Sequence, residues 1–181
     1  MNINIQPVLE DEAVCLSPLQ ADDFEALYQV ASDPLIWEQH PNKNRWQRAA
    51  FSIFFEGALQ SGGALKITDT ATGRIAGCTR FYDLVPEKDS IMIGYTFLAR
   101  SYWGTGLNTQ VKKMMMDYIF RYVSRIYFHV GASNKRSQVA IERLGAVKTG
   151  EEEIAYFGEP ARLNFVYLIE KNRPSESILC S

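Results

Sequence analysis

The chain has 181 residues, of which 46% are hydrophobic and 22% are charged; this suits one globular domain and is too short for two typical ones. A formal net charge of -2 excludes the overall positive field that attracts nucleic acids and anionic membranes. Cys15, Cys78 and Cys180 lack the paired spacing of a disulfide framework or a zinc site. No segment approaches the roughly 20 apolar residues of a membrane span, and residues 1–12 are polar and acidic. We therefore expect a cytoplasmic protein that binds no metal, nucleic acid or membrane.

The first half of the sequence predicts one strand, two helices and a three-stranded meander. An apolar strand at 13–17 precedes a helix that starts near Asp22 and ends at Ser32-Asp33-Pro34, because the residue before a proline is disfavoured in helical conformation. Apolar residues at helical spacing predict a second helix at 45–60, with Asn44 as its cap. Extended patterns separated by turns then predict strands at 64–68, 74–82 and 90–98.

The second half predicts two more helices and three more strands. The helices are expected at 107–122 and 134–143, and the strands at 125–130, 147–157 and 162–170. Apolar residues recur at i, i+4, i+7 and i+8 in the first of these helices, whereas Asn134 caps the second and Gly145 ends it. We predict a single domain at 8–171 and a loose tail at 172–181, where no periodicity remains.

The strongest local signal is a glycine turn between the strand at 90–98 and the amphipathic helix. Gly104-Thr105-Gly106 leaves backbone N–H groups unobstructed at the positive end of that helix, which suits a pyrophosphate. A Walker motif requires a lysine followed by serine or threonine after the last glycine, and none is present. A dinucleotide fingerprint requires a glycine at Thr109 and a carboxylate near His129. Both nucleotide motifs are therefore disfavoured, while a turn that only joins strand to helix stays open.

This turn is one of four segments that follow each other in a distinctive order. They are Ile93-Gly94-Tyr95, residues 102–109, Asn134-Lys135-Arg136-Ser137 and residues 140–146. Together they resemble the GNAT superfamily of N-acetyltransferases. The most similar branch is the RimJ/RimL-like one, whose namesakes acetylate the N-terminal amines of ribosomal proteins. The resemblance covers about residues 14–170.

The resemblance implies an α/β (α+β) fold with a mixed, mostly antiparallel sheet of about six to seven strands and about four flanking helices. The sheet would be splayed open between the strands that end near Leu98 and Gly131, with acetyl-CoA as co-substrate in the opening. The implied acetyl-CoA-binding residues are Phe97, Leu98, Ala99, Trp103, Gly104, Thr105, Gly106, Leu107, Asn108, Thr109, Asn134, Arg136 and Ser137.

The loop departs from the family pattern Gln/Arg-x-x-Gly-x-Gly/Ala. Trp103 stands at its first defined position and Asn108 at its third, while Gly106 keeps the second. Main-chain donors remain available from tryptophan and asparagine, so the departure concerns side-chain contacts more than the loop itself. Cations that could meet the CoA phosphates, or be ordinary solvated charges, are Arg100, Lys112, Lys113 and Arg136.

Acetyl transfer needs an uncharged amine close to the thioester carbonyl and stabilisation of the departing thiolate. Positioning can supply on the order of 7 kcal/mol or more of the barrier reduction, so a missing base is tolerable. Many relatives carry a glutamate before the Ile-Gly-Tyr triplet and a tyrosine on the later helix, where this chain has Met92 and Ile141. The resemblance implies Ser137, with Asn134, as the catalytic pair near the sulfur. The equally weighted alternative is that Ser137 has no catalytic role and belongs only to the helix cap with Asn134.

The general base is left unassigned. The main candidates are Glu38 and His40, which lie between the first two helices. Further candidates are Asp83, Glu152 and Glu153. His129 alternates out of phase with its apolar neighbours, so we expect it on the opposite face of the sheet in a structural role.

The expected acceptor is the primary amine of a protein N-terminus or of a small molecule, by family analogy alone. Aromatic residues that suggest an acceptor wall, or simply core, are Trp37, Trp46, Phe51, Phe55, Tyr82 and Tyr156. Because Met92 and Ile141 replace both familiar proton-handling residues, a non-catalytic CoA-binding sensor or protein-interaction scaffold is the alternative. We expect a monomer or homodimer.

Overall fold

A computed structural model of the chain describes residues 3–171, which form one eight-stranded sheet and four α-helices. The strands are β1 (Leu9–Glu10), β2 (Val14–Pro18), β3 (Ala64–Asp69), β4 (Ile75–Val85), β5 (Ser90–Leu98), β6 (Arg125–Gly131), β7 (Val147–Ile154) and β8 (Arg162–Glu170). The helices are α1 (Phe24–Ala31), α2 (Arg48–Gln60), α3 (Leu107–Ile119) and α4 (Lys135–Glu142). Short 3-10 helices cover Ala21–Asp23, Pro34–Trp37, Pro86–Lys88 and Arg100–Tyr102. The tail at 172–181 lies outside the described residues.

The strand order is β1-β2-β3-β4-β5-β6-β8-β7, and neighbouring strands are antiparallel except β5 and β6. The predicted mixed, mostly antiparallel fold is thus confirmed. The sheet has one strand more than expected, because the two-residue β1 pairs with β2 and is too short to leave a periodic pattern in the sequence.

The parallel pair is what opens the sheet. β5 and β6 pair only over three residues, Ser90 to Met92 against Arg125 to Tyr127, and the remainder of each strand diverges. On β5, Tyr95 has φ +51°, a rare conformation for a bulky residue, and the β4–β5 register shifts between Cys78 and Arg80. Such a bulge bends a strand and increases its local twist. The bend places a cleft between the ends of β5 and β6.

Two apolar clusters cover the two faces of the sheet. On one face, α3 buries its predicted stripe, including Val111, Met115 and Ile119, against the sheet. On the other face, α1, α2 and the segment between them form an aromatic cluster around Trp37 and Phe97. Both clusters approach the cleft, so its walls are fixed by packing on either side.

The start of α2 differs from the prediction. The helix begins at Arg48 with Gln47 as its N-cap, instead of beginning at Arg45 with Asn44 as its cap. The reason is Arg45, which is buried and forms an ion pair with Glu159, with Nη2 and Oε1 2.7 Å apart. This long-range pair holds the preceding residues outside the helix.

Candidate functional site

The cleft between β5 and β6 forms a cavity of about 700 Å³. Ten of the thirteen implied acetyl-CoA-binding residues line it, namely Phe97, Leu98, Trp103, Gly104, Gly106, Asn108, Thr109, Asn134, Arg136 and Ser137. The other three face elsewhere. The Ala99 N–H donates to the Ala76 carbonyl on β4 at 2.8 Å, the Thr105 hydroxyl donates to the Tyr102 carbonyl, and Leu107 belongs to the core.

The glycine turn has the geometry of an anion site. Gly104 and Gly106 have φ of +75° and +89°, and nothing lies within 4 Å of an added Cβ at either position. Both are therefore glycine because of their backbone conformation, not because of a close neighbour. Gly106 is the N-cap of the 13-residue α3 and provides no side-chain cap. The first-turn N–H groups, at Asn108 and Thr109, remain available to an anion.

Trp103 partly closes this end of the cavity. Its indole Nε1 donates to the Leu98 carbonyl at 3.1 Å, and the Arg136 guanidinium lies 4.0 Å from its ring centroid. Arg136 also donates from Nη2 to the Ile36 carbonyl at 2.9 Å. A cation is thus held on an aromatic face at the cavity wall, where the family pattern has glutamine or arginine in place of tryptophan.

The other candidate cations lie in different environments. Arg100 pairs with Asp33 at the surface, and Lys113 is exposed and does not line the cavity. Lys112 is 2% exposed, and its Nζ donates to the Thr79 hydroxyl at 3.1 Å and to the Thr96 hydroxyl. The interpretation of Lys112 as a solvated charge is therefore wrong. Burial lowers its pKa to about 7.

The N-terminus of α4 supplies the predicted pair. The Asn134 side-chain oxygen accepts from the Ser137 backbone N–H at 3.2 Å, which is the expected cap. The Ser137 hydroxyl makes no hydrogen bond to any residue in the described part of the chain and belongs to the cavity lining. Ile141 lines the same wall and offers no proton. The backbone of Ser137 serves the cap, and its hydroxyl is free for another partner.

The two main base candidates differ in location. Glu38 is exposed and outside the cavity lining. His40 lines the cavity, but Arg45 Nη1 lies 3.2 Å from its Nε2. A guanidinium only donates, and the Asn42 backbone N–H donor lies 2.9 Å from Nδ1, so each ring nitrogen of His40 has a donor beside it. Burial, followed by the charge of Arg45, lowers the pKa of His40 well below its usual value. His40 is therefore neutral, and both of its ring nitrogens are engaged by donors.

Three tyrosines and His129 form the side of the cavity opposite α3. Tyr95 stacks edge-on against Tyr82 and Tyr156, with ring centroids 5.1 and 5.3 Å apart. Burial raises the pKa of all three phenols, so they stay protonated as hydrogen-bond donors. His129 lines the cavity beside them. We name this set the tyrosine wall.

His129 was expected on the opposite face of the sheet in a structural role. Its face is as predicted, because Ile126, Phe128 and Val130 are buried in the other cluster, but that face lines the cavity. Burial lowers the pKa of His129, partly opposed by Glu152 and then Asp83. Its Nε2 lies 4.0 Å from the Glu152 carboxylate. Strand alternation gave its direction, and only the opening of the sheet reveals what that direction faces.

The remaining candidates divide between cavity, core and surface. Of the expected aromatic residues, Trp37, Tyr82 and Tyr156 line the cavity, Phe51 and Phe55 belong to the core, and Trp46 is exposed. Asp83, Glu152 and Glu153 are exposed and do not line it. Within residues 3–171, no cluster of histidine, cysteine, aspartate and glutamate is arranged to hold a metal ion, and no helix is long and apolar enough to cross a membrane.

Comparison with known proteins gives a family match over most of the chain. A family model described as an acetyltransferase (GNAT) domain matches residues 13–147. A GCN5-related N-acetyltransferase from Brucella melitensis is similar in structure, with a TM-score of 0.78 and 20% identity over 91% of this chain and 79% of that chain. Mycobacterium smegmatis RimJ, in complex with CoA-disulfide, has a TM-score of 0.66 and 20% identity over 91% and 86%. The microcin C7 self-immunity acetyltransferase MccE, in complex with acetyl-CoA and AMP, has a TM-score of 0.74 and 15% identity over 94% of this chain and 100% of that chain. At these identities the structural matches establish the fold.

Proposed function

Because the chain belongs to the GNAT family of acetyltransferases, we propose that it is a cytoplasmic enzyme that transfers the acetyl group of acetyl-CoA to a primary amine. The amine is that of a protein N-terminus or of a small molecule, and it attacks directly in a ternary complex. The observation that carries this proposal is the cavity of about 700 Å³ that extends from the glycine turn to the tyrosine wall. We assign its glycine-turn end to acetyl-CoA and its tyrosine-wall end to the acceptor amine.

The residues around the glycine turn fit the CoA moiety. The uncapped first turn of α3 presents N–H groups suited to a pyrophosphate, and Arg136 adds a positive charge on the facing helix. Phe97 lines the opening on β5, where the backbone is unpaired with β6. Because the Leu98 carbonyl already accepts from Trp103 and the Phe97 carbonyl lies against Gly77 on β4, we expect the pantetheine arm to lie along this part of β5 without these two carbonyls as partners.

Ser137 is the proposed donor to the departing thiolate. When bound, acetyl-CoA supplies the thioester; the amine forms a bond to the acetyl carbon as the carbon–sulfur bond breaks. The Ser137 hydroxyl has no other partner within residues 3–171, so it is free to donate to the developing charge. Asn134 holds the first turn of α4 through the Ser137 backbone, which fixes the position of the residue that carries the hydroxyl.

For the proton of the amine, His129 is better suited than His40. Burial keeps both imidazoles neutral, but the Nε2 of His40 is engaged by Arg45. His129 belongs to the tyrosine wall and has Glu152 nearby to stabilise the protonated form. We propose His129 as proton acceptor, either directly or through water.

Ligand binding tests the cofactor first. We would measure the thermal midpoint with acetyl-CoA, and with NAD and ATP as controls. A ligand at a hundred times its Kd adds roughly 2.7 kcal/mol, which should raise the midpoint by about 5 to 11 °C. An absence of any shift at millimolar acetyl-CoA, or a shift with NAD or ATP instead, would contradict the assignment. Release of free thiol with a panel of amines then separates an enzyme from a sensor, which binds CoA without turnover.

Replacing Ser137 with alanine tests the proposed donor. The cap uses only the backbone of Ser137, so stability should be unchanged while kcat falls roughly tenfold or more. Ser133→Ala, at an exposed position in the preceding turn, is the matched control and should retain full activity. An unchanged kcat in Ser137→Ala would leave Ser137 with its capping role alone.

A further inference from the structure

Arg80 on β4 is a buried cation with no counter-ion among residues 3–171. It is 4% exposed, and its Nη1 donates to the Gly57 carbonyl at 3.2 Å. Its Nε and Nη2 are buried and have no hydrogen-bond partner among the described residues. The guanidinium carbon also lies 3.9 Å from the centroid of the Tyr95 ring, so the cation is stacked on an aromatic face.

A second buried arginine on the same face of the sheet provides an internal comparison. Arg45 is 2% exposed and also stacks on an aromatic ring, that of Phe54, but it pairs with Glu159 at 2.7 Å. Buried charges in proteins are normally paired in this way. Arg80 is as deeply buried and has no carboxylate within ion-pair distance in residues 3–171. Its counter-ion must therefore come from outside residues 3–171.

Arg80 also lines a second cavity, of about 280 Å³. Both this cavity and the main one are lined by Tyr82, Tyr95, Tyr156 and His129. The two cavities therefore share the tyrosine wall. Among the residues described as lining the smaller cavity, Asp83 is the one acid, and it is exposed to solvent. The smaller cavity thus adjoins the tyrosine wall and has a positive charge in its lining.

We propose that Arg80 binds a carboxylate of the acceptor, so that the substrate is an amine that also carries a carboxylate. Nε and Nη2 share one edge of the guanidinium, and that edge donates two parallel hydrogen bonds to the two oxygens of a carboxylate. The carboxylate occupies the smaller cavity, and the amine points past the tyrosine wall toward the opening between β5 and β6. This inference rests on the proposed function, because it takes the main cavity as the site of transfer.

The carboxylate has two possible sources, which matched acceptors distinguish. A free amino acid offers its α-carboxylate, tested with L-methionine against L-methioninamide. A peptide offers an acidic first side chain, tested with glutamyl-alaninamide against glutaminyl-alaninamide. In the wild-type protein, kcat/KM for the carboxylate member of one pair should exceed that of its amide by about 10- to 100-fold, the range for hydrogen bonds to a charged group.

The preference should depend on Arg80. Arg80→Met keeps an apolar chain of similar length and should reduce the ratio to about one. Arg80→Lys keeps the charge but lacks the paired Nε and Nη2 donors, so it should retain part of the ratio. Arg74→Met, at an exposed position just before β4, should keep the full ratio. A wild-type enzyme that does not distinguish carboxylate from amide, or an Arg80→Met variant that still does, overturns the proposal. A preference for O-phosphoethanolamine over both carboxylates would overturn the choice of anion.

A binding measurement keeps the inference separate from the proposed activity. Titration of N-acetyl-methionine and N-acetyl-glutamyl-alaninamide into the CoA-saturated protein should give binding of one of them that Arg80→Met abolishes. Such binding without any acetyl transfer would reject the proposed function and keep the anion site. Acetyl transfer to neutral amines, with no Arg80-dependent binding, would reject the anion site and keep the proposed function. The thermal midpoint of each variant confirms that it is folded.

Discussion

Replacing Lys112 with methionine should stabilise the protein at neutral pH. The Lys112 ammonium is buried among threonine hydroxyls, with no carboxylate in hydrogen-bond contact. Burial lowers its pKa from 10.5 to about 7. Between these two values the unfolded chain binds a proton that the folded chain does not, so the stability of the wild type rises with pH across this window. Below pH 7 the folded protein bears the full free-energy cost of keeping this buried amine protonated.

The size of the effect follows from the shift. One pKa unit corresponds to about 1.4 kcal/mol, so the full penalty is on the order of 5 kcal/mol, and about 2 kcal/mol of it should be relieved between pH 7 and pH 9. Methionine removes the penalty and forfeits two hydrogen bonds, at roughly 1 kcal/mol each. The hydroxyls of Thr79 and Thr96 remain 2.8 Å apart and keep each other as partners. A net stabilisation of about 2 kcal/mol is therefore expected at pH 7.

Urea unfolding followed by tryptophan fluorescence at pH 7, 8 and 9 measures this directly. The stability difference between Lys112→Met and wild type should shrink by about 2 kcal/mol over that range. Lys113→Met is the matched control, because Lys113 is the exposed neighbour on the same helix, and its difference should not depend on pH. A constant difference for Lys112→Met would refute the reasoning, since it would mean that the buried amine keeps its ordinary pKa.

Two further substitutions test the glycine turn and the buried ion pair. Gly106→Glu should abolish the thermal shift with acetyl-CoA, because it places a bulky negative side chain at the N-terminus of α3; Gly73→Glu, with a φ of +66° but outside the cavity lining, carries similar backbone strain and should keep the shift. Glu159→Gln should reduce the free energy of unfolding by about 3 kcal/mol in urea, because it leaves the Arg45 charge buried without its partner. A loss under about 1 kcal/mol would mean that Arg45 finds water or another acceptor.

The order and type of the elements were predictable because they follow from local patterns. The apolar spacing of α3 identified its buried stripe, and Asn134 caps α4 as its position suggested. The glycine turn was also local, since two glycines before an amphipathic helix are visible in the sequence. The ends of helices were less reliable: α2 starts three residues later than predicted, because Arg45 is held by Glu159.

The chemistry of individual polar residues was much less predictable. Lys112 follows Val111 in the buried stripe of α3, yet a lysine in such a position usually extends to solvent, and only the packing around Thr79 and Thr96 shows that it does not. Arg80 gave no signal at all, because an arginine in a strand has the same appearance with or without a partner. His129 faces the side that strand alternation indicated, but its role depends on the tyrosine wall.

The sequence by itself determined the family, the sequence of helices and strands, the glycine turn and the Asn134 cap, since each depends on residues a few positions apart. The tertiary structure decided where β5 leaves β6, through the backbone at Tyr95, and which charges are paired. Arg45 and Glu159 are 114 residues apart, and no local pattern relates them. Partner choice for a buried charge depends on the few groups that the fold brings within reach, which is why Arg45 has a carboxylate and Arg80 has none within residues 3–171.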